Sequence, residues 1–305
     1  KQREVILLKD KTKLKYSHKE NLTGFLFVLP ALLPLVVFWI VPVLFSGALS
    51  FTSWDMMSPT IEFVGIDNFT SLLREKNFHK VLWNTLVFAV GSTIPTILLG
   101  MLIALAMNSA RRGVGLYRTV IFAPYITPMV AVSVVWSWIF EPRVGILNFV
   151  LELFGLPGSE WTKSTDTAML SVLIVTVWKG IGWTMIFYME AIRKVPQSLL
   201  ESAVIDGANG FQKFIKITVP LISPTTFFLV IMSTISSLQA YDQIQVLTQG
   251  GPAGATRTLL YYYYLEGFRN FNTGKASAVA IVLVVITVVL SAVETLASKK
   301  LVHYN

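Results

Sequence analysis

Residues 195–220 read VPQSLLESAVIDGANGFQKFIKITVP and form a polar interval between two long apolar runs. Pro196 suits the first turn of a helix, because its missing N–H would be unpaired there. Residues 197–206 read as helix, with Leu199, Leu200, Ala203 and Val204 on one side. Gly207 suits the left-handed position that ends a helix. Asn209 and Gly210 break the chain, and residues 211–216 start again as helix leading to Pro220. The expected unit is helix, glycine bend, helix, lying at a membrane surface. Its small apolar face with charged ends fits a cleft on another protein; an ordinary surface loop is the plain alternative.

The chain around this interval is built for lipid. Of 305 residues, 54% are apolar and 14% charged, against about 25% charged in a soluble domain. Six apolar runs lie near residues 22–49, 81–108, 119–140, 168–190, 217–241 and 276–297. Each can supply the roughly 20 residues that cross about 30 Å of hydrocarbon. The expected fold is an all-α membrane protein of six transmembrane helices (residues 21–297), with a basic tail at 1–20 and a short tail at 298–305. Pro30, Pro34 and Pro42 are expected to bend or break the first span locally. Residues 119–140 are read as the third span, which contains Pro124 and Pro128.

Charge sets the orientation. Sixteen of the 25 Lys and Arg residues fall on the face that carries both termini and residues 195–220, eight on the other, and Lys179 lies within the fourth span. That excess puts both termini and the polar interval in the cytoplasm. It also accounts for the net charge of +8 without nucleic acid.

Here the residues carry a family pattern. Glu201-Ser202-Ala203, then Gly207, then Ile217-Thr218-Val219-Pro220 resembles the cytoplasmic loop of binding-protein-dependent ABC import permeases: Glu-Ala-Ala, three residues, Gly, nine residues, Ile-x-Leu-Pro. Ser202 and Val219 depart from it by small changes. ESAVIDGA at residues 201–208 looks like the form found in carbohydrate importers. Residues 247–280, with Thr248 and Gly250-Gly251-Pro252, are similar to the outer loop of the maltose-type and glycerol-phosphate-type permeases that carry Thr-x-Gly-Gly-Pro.

The resemblance implies a permease subunit that moves a sugar, oligosaccharide or related polyol by alternating access. It implies a second homologous permease, two ATP-binding subunits at the cytoplasmic face, an extracytoplasmic solute-binding protein and a bacterial or archaeal cytoplasmic membrane. ATP and Mg would be held by the ATPase partners, and no cofactor by this chain. Glu201, Ser202, Ala203, Asp206, Gly207, Ala208 and Pro220 would form the coupling surface. Glu201 and Asp206 would make polar contacts, while Ala203 and Gly207 would allow close approach. Gly250, Gly251 and Pro252 would meet the binding protein or an outer gate, and Tyr261–Tyr264 would begin an amphipathic piece whose plain alternative is an interfacial anchor.

Lys179 is the charge deepest in a span and must face the bundle or water. It is either a residue of the solute path or a structural ammonium held by helix carbonyls or a partner subunit. Gly180 and Gly182 beside it permit close helix contact or a local break. Ser233, Ser237, Gln239 and Tyr241 on the fifth run are the other candidates for the path. Trp136, Trp138 and Trp183 read first as headgroup-boundary residues, with stacking on a sugar ring as the alternative.

Catalysis has no support. The three histidines (His18, His79 and His303) lack metal-ligand spacing, and there is no cysteine. The chain is expected to be a transport subunit, not an enzyme. An importer for amino acids, peptides or phosphate is the nearest rival. An ion-coupled carrier is a further one, but it would want carboxylates inside the spans, and none is expected there.

Overall fold

A computed structural model describes residues 18–109 and 113–301; most of the basic tail, Arg111, Arg112 and His303 lie outside them. Helices dominate the described residues, and the one β-feature is an isolated bridge between Thr52 and Phe63. In hydrocarbon a helix closes its own backbone hydrogen bonds, which explains the dominance. Five helical stretches are long and apolar enough to cross a membrane, and a bent pair supplies a sixth if counted as one span.

The chain divides into two compact units, residues 1–49 and 50–305. In the first, α1 (His18–Leu35), a π-helical turn (Val36–Ile40) and α2 (Val41–Leu49) follow without interruption. The prolines do not interrupt the helical run. The π-turn lies just ahead of Pro42 and loosens the ladder where the proline ring would crowd the preceding turn.

The second unit is centred on two long helices, α4 (Lys76–Ser109) and α8 (Ala168–Arg193). Water drives no burial between helices in lipid, so close approach depends on small residues and on interhelical hydrogen bonds. Both occur here. Gly100 of α4 abuts Thr184 of α8, and Gly180 of α8 abuts Thr96 of α4. The Thr184 hydroxyl also donates to the Thr96 carbonyl at 3.1 Å.

Between them lie α5 (Val114–Ile126), α6 (Met129–Ile139) and the short α7 (Ile146–Leu153). The expected third span is not continuous: α5 and α6 meet at 99°. Thr127 is extended (φ −67°, ψ 138°), as a residue before proline tends to be, and Pro128 has no N–H to continue the ladder. Gly182 of α8 packs against the Ile121 carbonyl of α5, a contact that leaves no room for a Cβ. Around Lys179, then, the glycines serve close packing and α8 is unbroken.

The polar interval forms α9 (Gln197–Ile205) and α10 (Gly210–Lys213). A second π-turn (Phe214–Thr218) joins α10 to α11 (Val219–Leu238). The helical stretch that holds the fifth apolar run therefore begins at Gly210, ahead of residue 217. Residues 242–275, expected as loop, contain α12 (Asp242–Leu247), α13 (Leu259–Tyr264) and a π-turn (Leu265–Arg269). The final helix, α14 (Thr273–Leu301), runs past the expected end at 297. A third small helix, here α3 (Asp67–Arg74) in spatial company with α14, completes the unit.

Three apolar clusters hold it together. Phe88, Val172, Val175, Ile244 and Tyr261 form one, and Ile97, Met185, Tyr188, Ile222 and Leu229 a second. Leu72, Phe78, Leu259, Tyr262 and Val279 form the third. Tyr261 and Tyr262 are 3% and 2% exposed. They are core residues and form the buried side of the amphipathic piece, while Tyr263 and Tyr264 are half-buried.

Candidate functional site: a glycine-bent arm and a hydroxyl-lined cavity

The arm is built by local chemistry. The Ala208 N–H donates to the Ala203 carbonyl at 2.8 Å, and the Gly207 N–H to Val204 at 3.0 Å. These are the paired bonds that close a helix on a left-handed residue, and Gly207 has φ +79°. Asn209 then caps α10: its side chain accepts from the Gln212 N–H at 2.9 Å, and the Gln212 side chain accepts from the Asn209 N–H at 2.9 Å. Glu201, Ser202, Asp206 and Gly207 are exposed, Ala203 and Ala208 half-buried. Pro220 lies half-buried in the first turn of α11.

Two residues here escaped the sequence reading. Ile205 and Phe211, one on each side of the bend, are 87% and 73% exposed. Both are large and apolar and both flank the glycine, which is the signal that could have found them.

The arm leads into the bundle. Residues Gly210–Leu238 form one uninterrupted helical stretch of 29 residues, about 43 Å at 1.5 Å per residue. Midway, the Tyr188 hydroxyl of α8 donates to Thr226 Oγ1 of α11 at 3.1 Å.

At the far end of α11 is a cavity of about 470 Å³. It collects Lys179, Ser233, Ser237, Gln239 and Tyr241, so the five path candidates from two separate spans share one wall. Thr93, Thr96 and Trp183 line it too, as do Tyr125, Asp242 and Gln243, which the sequence reading did not place there. Thr93 Oγ1 is buried with no hydrogen-bond partner, a polar atom free for a guest.

Lys179 reaches across to the break in the third span. Its ammonium donates to the carbonyls of Pro124 at 3.1 Å and Tyr125 at 2.7 Å, and lies 5.3 Å from the Tyr125 ring centre. These carbonyls belong to the last turn of α5, where the ladder leaves acceptors open. The two readings of Lys179 thus meet in one geometry: its ammonium is held by carbonyls and it also lines the cavity. Trp183 stacks on Tyr125 at 6.0 Å and faces the cavity. Trp136 packs edge-on against Trp178 at 5.5 Å. Trp136 and Trp183 are half-buried, and Trp138 alone of the three is widely exposed, at 74%.

The Gly250-Gly251-Pro252 loop is tied down. Asn84 donates to the carbonyls of Gly254 and Arg257 at 2.9 and 3.1 Å. Lys80 donates to the Ala253 carbonyl at 2.9 Å. Gly250, at φ +76°, packs against Tyr261 and Arg257 where a side chain would collide. Gly250 is buried and Gly251 and Pro252 half-buried, leaving Gln249 and Ala253 as the exposed tip. Tyr241, beside the cavity and stacked on Tyr261 at 6.0 Å, has its hydroxyl pushed up to about 12, first by burial and then by its Tyr264 neighbour.

One expectation is corrected outright. Glu294 lies inside the long helix α14, so a carboxylate is present within a span. Its Oε1 accepts from Thr234 Oγ1 of α11 at 2.9 Å. Among the described residues no group of three or more His, Cys, Asp or Glu could hold a metal ion.

The profile of a family described as "Binding-protein-dependent transport system inner membrane component" matches residues 96–303. The sn-glycerol-3-phosphate transport system permease protein UgpA of Agrobacterium fabrum is 34% identical over 284 residues, covering 92% of this chain and 96% of that one. A probable ABC transporter permease protein, YurN of Bacillus subtilis, is 31% identical, covering 91% and 96%. Among solved structures, a chain of a bacterial alginate ABC transporter in complex with an alginate pentasaccharide-bound periplasmic protein superposes with a TM-score of 0.80. It has 22% identity and covers 92% of this chain, a likeness of fold.

Proposed function

From the premise that this chain belongs to the binding-protein-dependent transport system inner membrane components, as the permease subunit of an ABC importer, we propose how it carries its solute and what it works with. The solute is a sugar, oligosaccharide or related polyol. The names of the similar glycerol-phosphate permeases support that class, and so does a cavity walled by hydroxyls and an indole. The chain sits in a bacterial or archaeal cytoplasmic membrane with both termini inside, beside a second, homologous permease. Two ATPase subunits, which hold ATP and Mg, dock on residues 195–220, and a solute-binding protein delivers outside near Gln249 and Ala253.

The observation that carries the mechanism is mechanical continuity: the docking bend at Gly207–Asn209 leads without a break along α10 and α11 to the cavity wall. Movement of the ATPases displaces α9, with Ile205 and Phe211 filling clefts and Glu201 and Asp206 at the rim. A stiff rod transmits that displacement to Ser233 and Ser237, and the Tyr188–Thr226 bond takes α8 and Lys179 with it. The cavity thereby changes the side to which it opens. This chain supplies no chemistry beyond binding and movement.

The test is uptake into vesicles holding the assembled importer. Accumulation is expected only with ATP inside and the binding protein outside. Because the chain has no native cysteine, a single Ile205→Cys variant should cross-link to a cysteine introduced in the ATPase. Uptake driven by an ion gradient alone would overturn the proposal.

A further inference from the structure

We propose that the cavity is made for a solute carrying a negative group, a carboxylate or phosphate on a hydroxylated body, and that Lys179 is the residue that meets it. The assignment rests on the reading of this cavity as the solute path, and narrows it to acidic sugars or polyol phosphates.

The argument is one of uncompensated charge. Lys179 lies near the middle of α8, and an ammonium in a span is costly unless neutralised. It has three N–H donors, of which the carbonyls of Pro124 and Tyr125 take two. Carbonyl dipoles orient the charge without cancelling it. The ion pairs among the described residues use Lys163, Lys194 and Lys275 instead. The other charged side chain on the cavity wall is Asp242, which is exposed in the first turn of α12 and forms no ion pair with Lys179. There its charge answers the positive end of its own helix.

Among the described residues the counter-charge is therefore missing at a point that opens onto the cavity. An anionic group on the solute would supply it through a charge-assisted hydrogen bond, about twice as strong as a neutral one. A neutral sugar would leave the ammonium unbalanced. The rest of the wall suits the rest of such a solute: the unpartnered Thr93 hydroxyl can bond a solute hydroxyl, and the Trp183 ring borders the same space. Two backbone carbonyls also fix where the charge points, so the site discriminates by position as well as by sign.

Reductive methylation of the full-length chain in detergent micelles tests this without any partner subunit. The methylation rate of Lys179 is read by mass spectrometry, with exposed Lys194 as the internal reference. The probes are glucuronate and sn-glycerol 3-phosphate against glucose and glycerol, all at ionic strength matched with sodium chloride. The two anions should slow methylation of Lys179 several-fold, with the neutral partners and chloride without effect and Lys194 unchanged. Equal protection by glucose and glucuronate, or no protection by either anion beyond chloride, would overturn the charge assignment. It would leave the import reading intact, because that reading is judged separately by ATP-driven uptake. Conversely, uptake that ignores ATP would remove the import reading and leave the methylation result as measured.

Discussion

Thr234 donates its hydroxyl to Glu294 Oε1 at 2.9 Å, joining α11 to α14 across 60 residues of sequence. The second carboxylate oxygen, Oε2, is buried without a partner among the described residues. Thr234→Val would strip the first oxygen as well. Leaving a buried acceptor unmade costs about 1–3 kcal/mol, so the variant should melt earlier in detergent. Glu294→Gln keeps an acceptor for Thr234 and removes the charge, and should lose much less. A Thr234→Val protein melting like the parent would show that this bond does not hold the two helices together.

Gly182 should tolerate no side chain. A Cβ there would run into the Ile121 carbonyl and the Phe122 Cα, which are backbone atoms and cannot swing aside. Gly182→Ala is expected to destabilise the α5–α8 contact by about 1–3 kcal/mol, as overpacking does, and to broaden the elution of the purified chain. Gly115→Ala, with nothing within 4 Å of its new Cβ, is the matched control and should elute normally.

Gly207 is a different case, because nothing lies within 4 Å of an added Cβ and the constraint is conformational, at φ +79°. Proline cannot adopt that angle and would also lose the N–H that donates to Val204. Gly207→Pro should insert and fold in the membrane yet abolish ATP-driven uptake. Gly207→Ala, strained by roughly 1–2 kcal/mol, should retain part of it. Full uptake by the proline variant would remove the arm from the mechanism.

Asn84 holds the outer loop with two bonds from one amide. Asn84→Leu would orphan the Arg257 carbonyl, at about 1–3 kcal/mol if it stays buried, and leave the Gly254 carbonyl only the Arg257 N–H at 3.4 Å. The loop should open, and trypsin should cut after Arg257 faster than in the parent. An unchanged cleavage rate would mean that Lys80 and the packing of Gly250 suffice.

The arm was legible because its signals are local. Pro196, Gly207 and Asn209 each act within a few residues, and the structure has each where the spacing puts it, down to the left-handed glycine. The third span was not legible in the same way. Pro124 and Pro128 both look like interruptions, yet α5 runs through the first and ends just before the second. What separates them is the extended backbone of Thr127, just past the Tyr125 carbonyl that Lys179, 54 residues away, binds. Tyr261 and Tyr262 show the same limit. Four tyrosines in a row suggest an interface, and only the approach of α4, α6, α8 and α12 to Tyr261, and of α3, α4 and α14 to Tyr262, makes two of them core.

Six apolar runs and the bent arm between the fourth and fifth were determined by sequence alone. Lipid leaves a backbone no choice but to bond within its own segment, and a glycine bend needs only its neighbours. The tertiary structure alone decided which hydroxyls share a cavity with Lys179, and that Thr234 would find Glu294 inside the bundle. Those outcomes depend on distances between residues far apart in the chain, set by where small residues such as Gly100, Gly180 and Gly182 let helices close on one another.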